Sequence, residues 1–173
     1  AIASARAGNV IGGGDWSLDR LIPDAIRSWM NSETLYIRRP EAVRPWQHVL
    51  EPIQGYILLA EKLWKTASLA GAYNFGPSTQ ELATVRDIIE LARQFYGNSK
   101  VDYDNKIYGP HEAGVLLLET SKARHVLGVE SRLNLTESIK LTLDWYQSQA
   151  NGLDARKLCE NDIFLYESLQ SAA

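Results

Sequence analysis

Apolar residues recur three and four positions apart along much of the chain, and each such stretch predicts an amphipathic helix. Residues 21–30 form one, with Pro23 tolerated in its first turn. Residues 52–65 form a second, opened by Pro52, with Ile53, Tyr56, Ile57, Ala60, Leu63 and Trp64 on one face. A third covers residues 84–96 through Val85, Ile88, Ile89, Ala92 and Phe95, and Gly97 stops it. A short helix over 121–127 ends at Gly128. Asn134-Leu135-Thr136-Glu137 has capping-box spacing and starts a helix that Asn151-Gly152 breaks. The last twenty residues predict one or two loosely attached helices.

Strands fall between these helices. Residues 1–10 are small, apolar and extended in character, a buried strand leading into the loop Gly12-Gly13-Gly14-Asp15. Residues 35–37, 72–75, 101–103 and 115–118 are short strand candidates, and 38–45 read as a loop with two prolines and three arginines. The alternation predicts an α/β fold. A buried parallel strand needs sheet neighbours and helices on both faces, and nothing ahead of Ala1 supplies them. The chain therefore reads as cut from a longer protein, with apolar faces that a missing half would cover and poor stability in isolation.

Composition narrows the picture by exclusion. The 173 residues suffice for a real core, and 45% hydrophobic with 23% charged residues is ordinary for a globular protein. A net charge of -3 and a pI near 5.6 argue against a nucleic-acid binder that works by bulk charge. The single cysteine, Cys159, excludes an internal disulfide and suits a reducing compartment. No apolar run approaches the ~18 residues of a membrane span, and the opening residues do not resemble a signal peptide, so a cytoplasmic location is expected.

Several motifs are decoys. Gly8, Gly12, Gly13 and Gly14 lack the spacing and strand-turn-helix context of a dinucleotide fingerprint, so a flexible loop at a strand end is expected. Tyr96-Gly97-Asn98-Ser99-Lys100 matches Tyr-x-x-x-Lys by letters, but a glycine stop separates side chains that catalysis needs one helical turn apart. His48, His111 and His125 have no metal-ligand spacing to one another or to Cys159. Arg38, Arg39 and Arg44 crowd one loop, with Arg20 upstream. Planar guanidinium groups suit phosphate oxygens, and the alternative is a solvated, salt-bridged loop. Pro45-Trp46 stiffens the position of Arg44. Arg27 reads as a solvent-facing helix charge worth at most ~1 kcal/mol.

Together these stretches resemble one family. Arg6-Ala7-Gly8-Asn9-Val10-Ile11-Gly12-Gly13-Gly14-Asp15-Trp16, continued by Arg20-Leu21-Ile22-Pro23-Asp24, is similar to the post-catalytic strand and loop of CDP-glucose 4,6-dehydratases. These are extended short-chain dehydrogenase/reductases. Arg44-Pro45-Trp46-Gln47-His48-Val49-Leu50-Glu51-Pro52 is the most specific stretch. Tyr73-Asn74-Phe75-Gly76-Pro77, Pro110-His111-Glu112-Ala113, Ser121-Lys122-Ala123 and Asp144-Trp145-Tyr146 follow in order. Two departures stand out: Tyr108 replaces a common arginine, and Glu119 a common aspartate.

The resemblance implies the C-terminal part of an extended Rossmann-type fold: the last strand or strands of the parallel sheet plus a small mixed α/β substrate-binding domain. Residues 1–10 would be the sheet strand, 11–150 the substrate domain with returning elements, and 151–173 a helical tail. It implies substrate contacts from Asn9, Arg20, Leu21, Arg44, Asn74 and His111, and backbone near the nicotinamide of NAD at Ala7 and Gly8. NAD would be held mainly by a missing N-terminal half. The implied reaction is oxidation at sugar C4, loss of water across C5 and C6, and return of hydride to C6. No catalytic or metal residue is assigned here. A CDP-sugar is the expected partner, with no nucleic acid or membrane, and the full-length enzyme is expected to be a homo-oligomer. A non-catalytic nucleotide-binding remnant and another NAD-dependent epimerase or dehydratase stay open.

Overall fold

The computed structural model describes residues 1–77, 82–97, 99–104 and 113–169. Strand β1 (Ala3–Ala7) pairs in parallel with β6 (Gly71–Phe75), β2 (Asn9–Ile11) with β5 (Trp46–His48), and β3 (Thr34–Ile37) with β8 (Lys100–Tyr103). A further pair, β4 (Val43–Arg44) and β7 (Ala83–Thr84), is antiparallel. Among the described residues the longer helices are α1 (Leu21–Met30), α2 (Leu50–Lys65), α3 (Val85–Tyr96), α4 (Leu135–Ala150) and α5 (Ala155–Ser168), with short helical turns at Ala67–Leu69 and, within the expected 121–127 helix, at Ala123–Leu127. The mixed α/β arrangement with parallel pairs is the one the alternation predicts. No helix among the described residues is long and apolar enough to cross a membrane.

The opening stretch is two strands rather than one. Ala7 pairs with Phe75 but Asn9 pairs with Trp46, so the chain changes partners at Gly8. A Cβ on Gly8 would lie 2.5 Å from Pro45 Cγ and 2.7 Å from the Pro45 carbonyl oxygen. Only a glycine permits that crossing, which the Asn9 amide closes by donating to the Pro45 carbonyl at 3.1 Å. Nor is β1 buried: Ser4, Ala5 and Arg6 are exposed, because among the described residues β6 is its only paired strand. Small apolar residues make a strand buriable, but burial needs cover on both faces.

Helix α2 turns a different face inward than its apolar spacing suggests. Glu51, Pro52, Gly55 and Leu59 are buried, whereas Ile53, Ile57 and Trp64 are exposed, Trp64 at 92%. Gly55 sets the orientation. A Cβ there would meet Phe75 Cδ1 at 2.4 Å, so the helix approaches β6 along its smallest residue. The expected strand over 115–118 is only a bridge from Val115 to Val43, because its partner β4 is two residues long.

The main core joins α1, α3 and α4 to β2, β3 and β5, with Ile26, Ile88, Ile89, Ile139 and Leu143 fully buried. A smaller cluster gathers Leu59, Tyr73, Phe75, Ala123 and Leu127. Capping boxes start α3 (Thr84 with Asp87) and α4 (Asn134 with Glu137), each cap worth about 1 kcal/mol.

The C-terminal stretch is one helix, and it is not loosely attached: Leu158 and Tyr166 of α5 are buried. Its Asp162 carboxyl is pushed up to about 6, first by burial and then by Asp144 of α4. A raised folded-state value favours the protonated form. Its stabilising contribution is therefore full below the ordinary carboxyl range and lost as pH rises through about 6. Asp162→Asn should be more stable than the parent at pH 7.5 by about 1 kcal/mol, after discounting for its half-exposed position, with no gain at pH 3.5. Urea unfolding at both pH values checks this, and an unchanged difference across the two would refute it.

Candidate functional site

A cavity of about 580 Å³ opens at the carboxyl ends of β2 and β3, between β2, the loop before α1, the first turn of α1 and the 38–44 segment. In α/β sheets this is where ligands bind. Asn9, Arg20, Leu21 and Arg44, which lie up to 35 positions apart in sequence, all line it. Arg38 and Arg39 join them, so four guanidinium groups border one space. Asp15, Asp19 and Asp24 are its acidic members. Two of these are already engaged: Asp24 pairs with Arg27, and Asp15 Oδ1 accepts from the Ser17 amide at 2.9 Å. The hydrogen bonds from Ser17 and the nearby Arg20 and Arg27 outweigh burial and hold the Asp15 carboxyl below its usual range.

Local structure adds to the positive character. Arg20 is the N-cap residue of α1, with extended backbone and no capping hydrogen bond from its side chain. Leu21 and Ile22, the first residues of the helix, line the cavity. The first amides of a helix lack intrahelical acceptors and carry the positive end of its dipole. Arg44 is aimed by its strand: Arg44 pairs with Ala83 across β4 and β7, and its Nη1 donates to the Val43 carbonyl at 2.8 Å. Pro45 and the buried Trp46 follow at once. The arrangement can hold an elongated anion against a partly apolar wall formed by Leu21, Ile37 and Trp46.

The other sequence candidates lie elsewhere. Asn74 lines a second cavity of about 260 Å³ with Gln47, Glu51 and Arg124, its Nδ2 donating to the Glu119 carbonyl at 3.0 Å. Its Oδ1 is buried without a partner among the described residues. Trp46 borders the first cavity and Gln47 the second, so β5 divides the two and Asn74 is not brought to Asn9. Ala7 and Gly8 stand at the junction of β1 and β2, where Gly8 packs on Pro45. His111 lies outside the described residues. Sequence reasoning missed Asp19, whose φ of 60° is unusual for a non-glycine residue; Arg38 and Arg39, read there as candidate phosphate contacts, border the first cavity.

The decoys are explained by packing. A Cβ on Gly12 would sit 2.6 Å from Val49 Cγ1, and one on Gly13 only 2.0 Å from Trp145 Cγ. These glycines make room for side chains rather than for a diphosphate, and the loop is packed rather than flexible. Tyr96 ends α3 against Trp29, with ring centroids 5.0 Å apart, while Lys100 begins β8. The two share no helical face. His48 is fully buried, and desolvation lowers its pKa to about 4. Its Nδ1 accepts from the Leu50 amide at 3.4 Å, a structural role at the start of α2. Arg27 is no idle surface charge: its Nη1 and Nη2 donate to the carbonyls of Trp16 and Ser17, each at 2.9 Å.

No family model matches the chain. A CDP-glucose 4,6-dehydratase of Salmonella typhimurium is 42% identical to it over 171 residues, which is 96% of this chain and 47% of that protein. The match falls in that protein's C-terminal part. The chain thus spans about half the length of the curated relative it matches. Among solved structures, the fold is shared with a UDP-glucuronic acid 4-epimerase from Bacillus cereus, determined with UDP-glucuronic acid and NAD. There the TM-score is 0.71 at 19% identity, covering 84% of this chain and 45% of that one. It is shared too with an NAD-dependent NDP-hexosamine 5,6-dehydratase of tunicamycin biosynthesis, at TM-score 0.68 and 23% identity over 88% of this chain and 46% of the other. A dTDP-glucose 4,6-dehydratase from Bacillus anthracis in complex with NAD gives TM-score 0.68 at 16% identity, over 90% and 47%.

Proposed function

We propose that the chain, which matches the C-terminal part of a CDP-glucose 4,6-dehydratase at 42% identity, belongs to that family and is the half that binds and orients the nucleotide-sugar. In this reading the whole protein converts CDP-glucose to CDP-4-keto-6-deoxyglucose with NAD. The observation that carries the reading is the convergence of Arg20, Arg38, Arg39 and Arg44 with Asn9 and the start of α1 on one cavity. Arg44 holds the diphosphate through its planar fork, Leu21 and Arg20 lie along the nucleoside, and Asn9 bonds near the sugar and diphosphate. Asn74 lies in the second cavity, apart from these groups, and has no part in this set of contacts. The work of these groups is binding and orientation, which lowers the barrier by presenting the sugar in one pose.

NAD enters through the family, and the residues described here fit only its edge. The glycines of the 12–14 loop are filled by Val49 and Trp145, and Tyr96 and Lys100 do not face one another, so neither a diphosphate cradle nor a catalytic pair is present among them. The proposal therefore places the main NAD contacts in the half of the relatives that the match does not reach. Ala7 and Gly8 would border the nicotinamide end. No chemical step is assigned to this chain's own side chains.

Calorimetric titration of CDP into the 173-residue chain tests the reading. Arg44→Ala should raise the dissociation constant at least ~10-fold, since a charge-assisted bidentate contact contributes roughly 1.5–3 kcal/mol. Arg44→Lys should recover only part of the loss, because an ammonium keeps the charge but not the fork. Equal affinities for the parent and Arg44→Ala would show that the arginines are a solvated face.

A further inference from the structure

The loop that walls the cavity ahead of α1 is held by side chains rather than by backbone pairing. Three consecutive carbonyls each accept from a side chain of a neighbouring helix. The Tyr146 hydroxyl of α4 donates to the Asp15 carbonyl at 2.5 Å. Arg27 of α1 donates to the Trp16 and Ser17 carbonyls through its two terminal nitrogens, at 2.9 Å each, and pairs with Asp24 one turn back. The same α4 aromatics pack on the loop: Trp16 meets Tyr146 edge-on at 5.0 Å, and Gly13 admits Trp145. Just beyond the held carbonyls come Asp19, in the left-handed region at φ 60°, and Arg20, and both line the cavity.

We infer that Arg27 and Tyr146 are positioning residues that set the 15–20 wall of the site, and through it the aim of Arg20, without touching the ligand. The inference rests on the nucleotide-binding reading of this cavity. Neither residue lines the cavity. Their leverage comes from geometry. A guanidinium donates along two fixed directions, so it holds two successive carbonyls in one relative orientation. The phenol fixes a third carbonyl from a different helix. A loop anchored at three successive points cannot rotate its peptide planes freely, and the order of Asp19 and Arg20 follows from that.

The test uses the 173-residue chain and three variants: Arg27→Met, which keeps the aliphatic stem; Arg27→Lys; and Tyr146→Phe, which keeps the ring on Trp16 and frees only the Asp15 carbonyl. Hydrogen exchange is read on peptides covering residues 15–20 and, as a control, 88–92 of α3. Exchange over 15–20, reported chiefly by the Ser17 amide that donates to Asp15 Oδ1, should rise several-fold in Arg27→Met and in Tyr146→Phe, with the control unchanged. CDP affinity by calorimetry should fall at least ~5-fold in both, and Arg27→Lys should lie between parent and Arg27→Met. Tyr146→Phe guards against a folding failure of the arginine variants, since a single lost hydroxyl leaves the packing intact. Unchanged exchange over 15–20 overturns the inference. Faster exchange with unchanged CDP affinity also overturns it, reducing the contacts to a purely structural role. If the parent itself binds no CDP, the ligand reading fails, and the exchange measurement alone then decides whether these side chains hold the loop.

Discussion

Glu51→Ala is expected to destabilise the chain by about 3 kcal/mol. Glu51 is a buried carboxyl in the first turn of α2, and it closes contacts with chain more than 80 positions away. Its Oε1 accepts from the Arg132 and Leu133 amides at 2.9 and 2.8 Å. Alanine would leave both amides without that acceptor, at roughly 1–3 kcal/mol for each buried donor. The Tyr166 hydroxyl lies 3.0 Å from Glu51 Oε2 and 2.7 Å from Gln54 Oε1. The proton is shared between the two acceptors, Glu51 Oε2 and Gln54 Oε1. Burial raises the Glu51 carboxyl above its ordinary value against the opposing hydrogen bonds from the Leu133 and Arg132 amides and the Tyr166 hydroxyl. Glu51→Gln imitates the protonated form, with one acceptor and one donor in place, and should cost under ~1 kcal/mol. The sign of the pH dependence follows. A raised folded-state value gives stability that is full below the ordinary glutamate range and is lost as pH rises through the folded value, so Glu51→Gln should flatten this decline. Urea unfolding of both variants between pH 4 and 8 decides the matter. Equal losses for alanine and glutamine would mean that the carboxyl's hydrogen bonds do not matter.

Gly13→Ala should be at least as damaging, at about 3 kcal/mol, although it adds a single methyl group to a loop. The added Cβ would lie 2.0 Å from Trp145 Cγ, 2.2 Å from Cδ2 and 2.6 Å from Cβ. Trp145 is 3% exposed and packed in the main core, so the indole has no free direction in which to retreat. Overpacking of this kind typically costs 1–3 kcal/mol, and a contact with the root of a buried ring belongs at the upper end. Trp145→Ala alone should lose 3–5 kcal/mol through the cavity it leaves. In the double variant the methyl group enters that space, so the combined loss should fall short of the sum by 1 kcal/mol or more. Denaturant unfolding of the four proteins closes the cycle. Strict additivity would show that Gly13 and Trp145 are not in the contact described.

Much of this architecture is legible from local pattern. Helices α1, α3 and α4 follow their apolar spacing, and the Asn134 and Gly97 boundaries fall where capping chemistry puts them. These features depend on neighbours within one or two turns, which the chain carries in its own order. The motif resemblance likewise singles out Asn9, Arg20, Leu21 and Arg44, and these border one cavity. Asn74 shows where such reading stops: its motif is as plain, yet β5 stands between its cavity and theirs.

The α/β class, most helix limits, the resemblance to CDP-glucose 4,6-dehydratases and the cluster of arginines were legible in the chain alone, because propensity, capping and motif identity are local or inherited properties. The tertiary structure alone decided what each residue faces. α2 turns on Gly55 because Phe75 sits 2.4 Å from where a Cβ would be, and its apolar stripe stays outside. The 12–14 glycines receive side chains because Val49 and Trp145 arrive from elsewhere in the chain. Arg27 holds a loop because the Trp16 and Ser17 carbonyls come within 2.9 Å of it. Each of these outcomes rests on contacts between segments distant in the chain, where packing at close range rather than residue type selects the face, the partner and the role.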